Sequence, residues 1–66
     1  MNVVLNGTAT ELADGATVAD LVSSHLDSPR GVAVAVNAEV VPRSTWPDAP
    51  LHDGDRVELL TAAQGG

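Results

Sequence analysis

Few groups in this 66-residue sequence are equipped for covalent chemistry. It contains neither cysteine nor lysine, so two common nucleophiles are missing. His25 and His52 stand apart, the first at the edge of an apolar helical pattern and the second in a loop-like stretch. Both read as structural residues rather than bases or ligands. Ser23, Ser24 and Ser44 lack the base and orienting partner that activate a hydroxyl. Asp53, Asp55 and Glu58 resemble a calcium loop only superficially, because the glycine position and the terminal glutamate spacing are wrong. A turn followed by a strand accounts for them better. No glycine-rich phosphate loop is present, since that motif needs a Gly-Lys-Ser/Thr end. These residues supply no catalytic set and no metal site.

The end of the sequence is different. It closes on Ala62-Ala63-Gln64-Gly65-Gly66. Glycine has no Cβ, so a Gly-Gly segment can enter a narrow channel and adopt torsions closed to other residues. At a chain terminus it also presents a main-chain carboxylate on a thin tether, which one further residue would convert to an amide. An ordinary frayed terminus has the same composition. The domain that carries the tail decides between the two.

Composition bounds that domain. Sixty-six residues make one small unit, with little room for a deep cleft and its catalytic shell. Carrier, adaptor, inhibitor or subunit are the roles left. The absence of cysteine removes disulfides and thiolate metal sites as staples. With 44% hydrophobic residues the chain has enough apolar matter to fold, nearly all of it Val, Leu and Ala. A net charge of −6 argues against nucleic acid as a partner and suits basic protein surfaces. No segment has the length of a bilayer span, and the first residues do not form a signal peptide. We therefore expect a cytoplasmic protein that meets no membrane.

The elements follow from periodicity. Asn2 to Asn6 reads as a strand with Val3 and Leu5 on one face. Asn6-Gly7 is a type I′ hairpin signal, and Thr8 to Leu12 is the returning strand. Asp14-Gly15 turns again. From Val18 the spacing is helical, with Val18, Leu21, Val22, His25 and Leu26 on one stripe. Thr17 is placed as the cap, with Asp20 three residues on, and Ser28-Pro29-Arg30-Gly31 ends the helix. Val32 to Val36 alternates Val with Ala, the pattern of an interior strand with close neighbours on both faces. Asn37-Ala38-Glu39 turns it into Val40-Val41-Pro42. The proline-containing stretch from Arg43 to Pro50 reads as a loop, with Trp46 and Leu51 as anchors to the core. After the Asp53-Gly54-Asp55 turn, residues 56–61 form the last strand, with Val57 and Leu59 on one face and Glu58 and Leu60 on the other. Hairpin, helix, short hairpin and strand, with the first and last strands paired in parallel, make an α+β β-grasp (ubiquitin-like) domain. It would have a mixed sheet of four to five strands wrapping one main helix over residues 1–61, followed by a flexible tail at 62–66.

On that scaffold a terminal Gly-Gly becomes a specific signal. The whole chain resembles the ThiS family of thiamine-biosynthesis sulfur carriers, within the ubiquitin-like superfamily. The likeness lies in Leu5-Asn6-Gly7, in Gly15-Ala16-Thr17-Val18-Ala19-Asp20-Leu21 and in Val34-Ala35-Val36-Asn37. It continues through Val40-Val41-Pro42-Arg43-Ser44, Leu51-His52-Asp53-Gly54-Asp55-Arg56-Val57-Glu58 and Gly65-Gly66. Ala38 departs from the pattern, which usually has glycine there. A positive φ at Ala38 would cost about 1 kcal/mol. Gln64 stands where the family varies.

The resemblance implies a protein cosubstrate rather than an enzyme. An E1-like, ThiF-like adenylyltransferase would use ATP with Mg to adenylate the Gly66 carboxylate. A persulfide-bearing protein would then convert it to a thiocarboxylate, and a ThiG-like thiazole synthase would take the sulfur. The carrier itself would bind no cofactor. Gln64 and Gly65 would thread the partner's channel. The sheet face away from the helix would dock, with Val4 and Leu60 as a small exposed patch and Glu58 steering a basic groove. Two related fates share the tail: sulfur delivery as a molybdopterin synthase small subunit, whose chains are usually longer and richer in aromatics, and isopeptide tagging as a ubiquitin-like modifier. A non-covalent regulatory module of the TGS type has a similar last strand but no need of a free Gly-Gly end.

Overall fold

A computed structural model describes residues 1–26 and 30–61. The expected helix stop at Ser28-Pro29 and the tail 62–66 lie outside the described residues. In chain order the elements are β1 (Asn2–Leu5), β2 (Thr8–Glu11), α1 (Val18–His25), β3 (Val32–Val36), β4 (Glu39–Val40), a 3-10 helix (Arg43–Asp48) and β5 (Arg56–Thr61). The five strands form one sheet in the order β2-β1-β5-β3-β4. β5 pairs in parallel with β1 and antiparallel with β3, and both hairpins are antiparallel. The last strand thus sits at the centre of a mixed sheet, as the β-grasp reading requires.

Local chemistry explains the elements. Both hairpins turn on two residues in the left-handed region: Asn6 (φ 49°) with Gly7 (φ 83°), and Asn37 (φ 52°) with Ala38 (φ 73°). Two positive φ values are what a type I′ turn requires. Ala38 therefore adopts a positive φ, which the sequence had left open. α1 opens on a capping box in which the Asp20 amide donates to Thr17 Oγ1 at 3.2 Å and the Thr17 amide donates to the Asp20 carboxylate at 2.9 Å. It closes after two turns, and Leu26, expected inside the helical stripe, is already extended at φ −134°.

Val3, Val18, Leu21, Val22, Val34, Trp46, Leu51 and Val57 form the buried core between α1 and one face of the sheet. Trp46 and Leu51 anchor the β4–β5 connection, as expected. The indole Nε1–H donates to the Val41 carbonyl at 2.9 Å, so burying the ring leaves no orphan donor.

Three expectations need correction. The stretch after Pro42 is not an open loop, because its first six residues wind into the 3-10 helix. Three prolines suggest irregular chain, but Pro42 presets φ at −59° for the helix start, and the short 3-10 helix accommodates Pro47 inside it. β4 ends at Val40 rather than Pro42, although the Val41 amide still donates to the Val34 carbonyl at 2.8 Å. Finally, β3 lies between two strands but is covered on one face alone. Val34 is buried, whereas Ala33 is exposed and Ala35 half-buried on the open side. Small residues there reflect a flat outer surface, not a second packed layer.

Candidate functional site

The site foreseen at the chain end involves Gln64, Gly65 and Gly66, which lie outside the described residues. The structure describes the platform that precedes them. β5 ends at Thr61, directly opposite Val32 at the start of β3. Every residue of the tail therefore follows the central strand of the sheet, and β5 is held from both edges.

That grip is built by two asparagines. Asn6 sits just past the end of β1, where its backbone amide donates to the Val57 carbonyl at 2.9 Å. Its side chain continues the ladder: Oδ1 accepts the Leu59 amide at 2.8 Å, and Nδ2 donates to the Leu59 carbonyl at 3.1 Å. On the other side, Asn37 donates its backbone amide to the Arg56 carbonyl at 2.7 Å and accepts the Arg56 amide through Oδ1 at 3.0 Å. Its Nδ2 donates to Asp55 Oδ1 at 3.1 Å. Asparagine suits both positions because it tolerates the left-handed region and carries a carboxamide that imitates a peptide group. The sequence marks these residues as turn formers. Their side-chain pairing with β5 depends on a contact more than 50 residues away for Asn6, which local pattern does not contain.

The outer face holds the docking candidates. Val4, Glu58 and Leu60 all point away from the helix, and all are exposed. They do not form one compact patch. Val4 stands beside Arg56, whereas Leu60 is four residues further along β5, about 13 Å at the rise of a strand. Glu58 lies between them. Leu60 neighbours Ala33, and Glu58 neighbours Ala35, which in turn faces Val40 on β4. Among the described residues Val40 is the most exposed large apolar side chain, 75% against 62% for Leu60 and 36% for Val4. Sequence reasoning missed it as a surface candidate. Alternation within Val40-Val41 held the signal: Val41 packs against the core, so its neighbour must face out. At one end of this face, Val4, Asn6, Gly7, Asn37, Ala38, Arg56, Val57 and Glu58 line a shallow hollow of about 630 Å³ between the two hairpin turns.

The remaining candidates serve the scaffold. Asp53 Oδ1 accepts the Asn2 amide at 2.7 Å, and Asp55 Oδ2 accepts the His52 amide at 2.8 Å. These carboxylates close a turn. His52 is exposed, with Nδ1 3.8 Å from Asp55 Oδ2. His25 is exposed at the end of α1, its Nδ1 within 3.0 Å of Ser24 Oγ and 3.1 Å of the Leu21 carbonyl. Among the described residues no group of three or more acids or histidines is placed to hold a metal ion.

Comparison with known proteins fits this architecture. A family model described as the ThiS family matches residues 3–66. The sulfur carrier protein ThiS of Escherichia coli K12 is 33% identical over 66 residues, covering the whole of both chains. A thiazole synthase of Paramagnetospirillum magneticum AMB-1 is also 33% identical over 66 residues, which are all of this chain but 20% of that one. The crystal structure of a thiamine biosynthesis protein (ThiS) from Geobacter metallireducens superposes with a TM-score of 0.84 at 32% identity, again over the whole of both chains.

Proposed function

Because the chain belongs to the ThiS family, we propose that it is the sulfur carrier of thiamine thiazole biosynthesis and that its Gly66 carboxylate is the group that carries the sulfur. The observation that supports this reading is a Gly-Gly end placed five residues beyond the central strand of a β-grasp domain that matches sulfur carriers along its full length.

The chemistry needs little from the carrier. A carboxylate is a poor electrophile, so an E1-like adenylyltransferase with ATP and Mg joins Gly66 to the α-phosphate and releases pyrophosphate. The acyl-adenylate has a good leaving group. The terminal sulfur of a persulfide-bearing protein displaces AMP to form an acyl disulfide. A thiol reductant then cleaves the S–S bond, so that Gly66 becomes a thiocarboxylate and the thiol ends in a disulfide with the donor. Thiazole synthase takes the sulfur and returns the carboxylate. Gly66 is a cosubstrate in this cycle. Gln64 and Gly65 supply a tether slim enough for a channel. The folded domain supplies recognition, with Val4, Leu60 and Val40 as apolar contacts around Glu58. The thiazole synthase relative that carries a stretch similar to this whole chain supports the choice of that enzyme as recipient.

Mass spectrometry tests the reading. Incubated with the adenylyltransferase, ATP and a sulfur donor, the chain should gain the mass of one oxygen replaced by sulfur, located on Gly66 by fragmentation. Absence of that species under conditions in which the enzyme consumes ATP would sink the proposal. Lasting conjugates to protein lysines in a cell extract would instead favour a modifier.

A further inference from the structure

On the helical side of the molecule, opposite the outer sheet face, α1 and the 3-10 helix leave a groove of about 320 Å³ between them. Ala19 and Val22 of α1, with Leu26 just past its end, form one wall, and Trp46 and Pro47 form the other. The indole N–H is already committed to Val41, so the ring offers the groove only apolar surface. Polar character comes from Arg43 and Ser23 at the mouth. Arg43 is exposed, and among the described residues its guanidinium has no carboxylate partner. It is also a cation on a chain of net charge −6.

That combination selects an occupant. An acidic segment is repelled by most of this surface and attracted at Arg43, while the walls reward an adjacent aliphatic side chain. We propose that the groove is a second docking surface, which takes an acidic, aliphatic segment of the thiazole synthase: the carboxylate pairs with Arg43, and the aliphatic side chain lies against Ala19, Leu26 and Pro47, over the nearly buried Trp46 and Val22. The choice of partner rests on the sulfur-carrier reading and on the thiazole synthase that contains a stretch similar to this entire chain. Because the groove and the outer face lie on opposite sides of the sheet, the synthase can hold the carrier here while the outer face stays open.

Trp46 is the sole tryptophan, so a carrier labelled with 5-fluorotryptophan gives one fluorine resonance that reports on the groove. Titration with unlabelled thiazole synthase should move or broaden that line. R43E should weaken binding by about tenfold or more, raise KM for the carrier in thiazole formation and leave kcat nearly unchanged. S23E, an exposed helix position, should act in the same direction. An unmoved line at saturating synthase, or wild-type affinity in R43E, would overturn the proposal. So would a shift produced by amidating the carrier's C-terminus with no synthase present, since the chain's own tail would then be the occupant. Thiocarboxylate formation on R43E, followed by mass, separates the two claims. If it proceeds while the fluorine line stays still, the groove proposal fails and the carrier reading stands.

Discussion

At the scale of single residues, Ala38 is the clearest mismatch between sequence and backbone. Its φ of 73° is a conformation that glycine enters without penalty and alanine does not. Ala38→Gly should therefore stabilise the domain by about 1 kcal/mol, with some of the gain offset by glycine's greater freedom in the unfolded chain. For a domain of this size that is roughly 4–8 °C in Tm. Thermal unfolding by circular dichroism measures it, and an unchanged or lower Tm would show that the turn relaxes without cost. Ala38 also lines the hollow beside Arg56 and Glu58, so the variant separates strain from surface shape: a glycine there removes only a methyl group. The sequence marked a turn at Asn37-Ala38 without fixing its type; the pairing of Val36 with Glu39 makes it a two-residue loop, and that loop length dictates the sign of φ.

At the scale of elements, β5 depends on its neighbours' side chains as well as on their backbones. Asn6→Ala should strip Leu59 of two hydrogen bonds and leave a half-buried peptide group to find water, at a cost of about 1–3 kcal/mol. Amide hydrogen exchange at Leu59 should accelerate more than at Leu21, whose amide donates to the Thr17 carbonyl within α1. Equal acceleration throughout would mean that the clamp is merely part of global stability. The hairpins and the capped helix were readable from periodicity, turn residues and a hydrophobic stripe. The parallel pairing of first and last strands came partly by analogy with the β-grasp architecture, because no local pattern states which distant strands pair. The 3-10 helix was not legible, because its core contact rests on Trp46 alone and its prolines carry the same local signal as a loop. The open face of β3 was misread for a related reason. A Val-Ala alternation fixes which residues point the same way, but it does not say whether anything covers the smaller ones. Val40 was hidden by its neighbour Val41, since two adjacent valines look alike until the register with β3 decides which of them faces out.

At the scale of the whole molecule, fold and chemistry are separable. Among the described residues the buried core runs from Val3 to Val57, whereas the group proposed to carry sulfur is Gly66. Deleting Gly66, or adding one residue after it, should abolish sulfur transfer and shift Tm by no more than about 4 °C, the range of changes that touch no core contact. A parallel loss of stability would place the tail inside the folding unit. High salt should raise KM for the partners without altering Tm to the same extent, because exposed charges steer the encounter and are screened beyond about 10 Å at 0.1 M. The position of β5 has one more consequence, which concerns force. A partner that draws the chain end into its channel pulls along the axis of that strand. Its hydrogen bonds to β1 and β3 run across this axis, so they resist as a set rather than opening one after another as at a peeled edge. The carrier can be tugged by its most central strand and stay folded, which an edge strand in the same role would not allow.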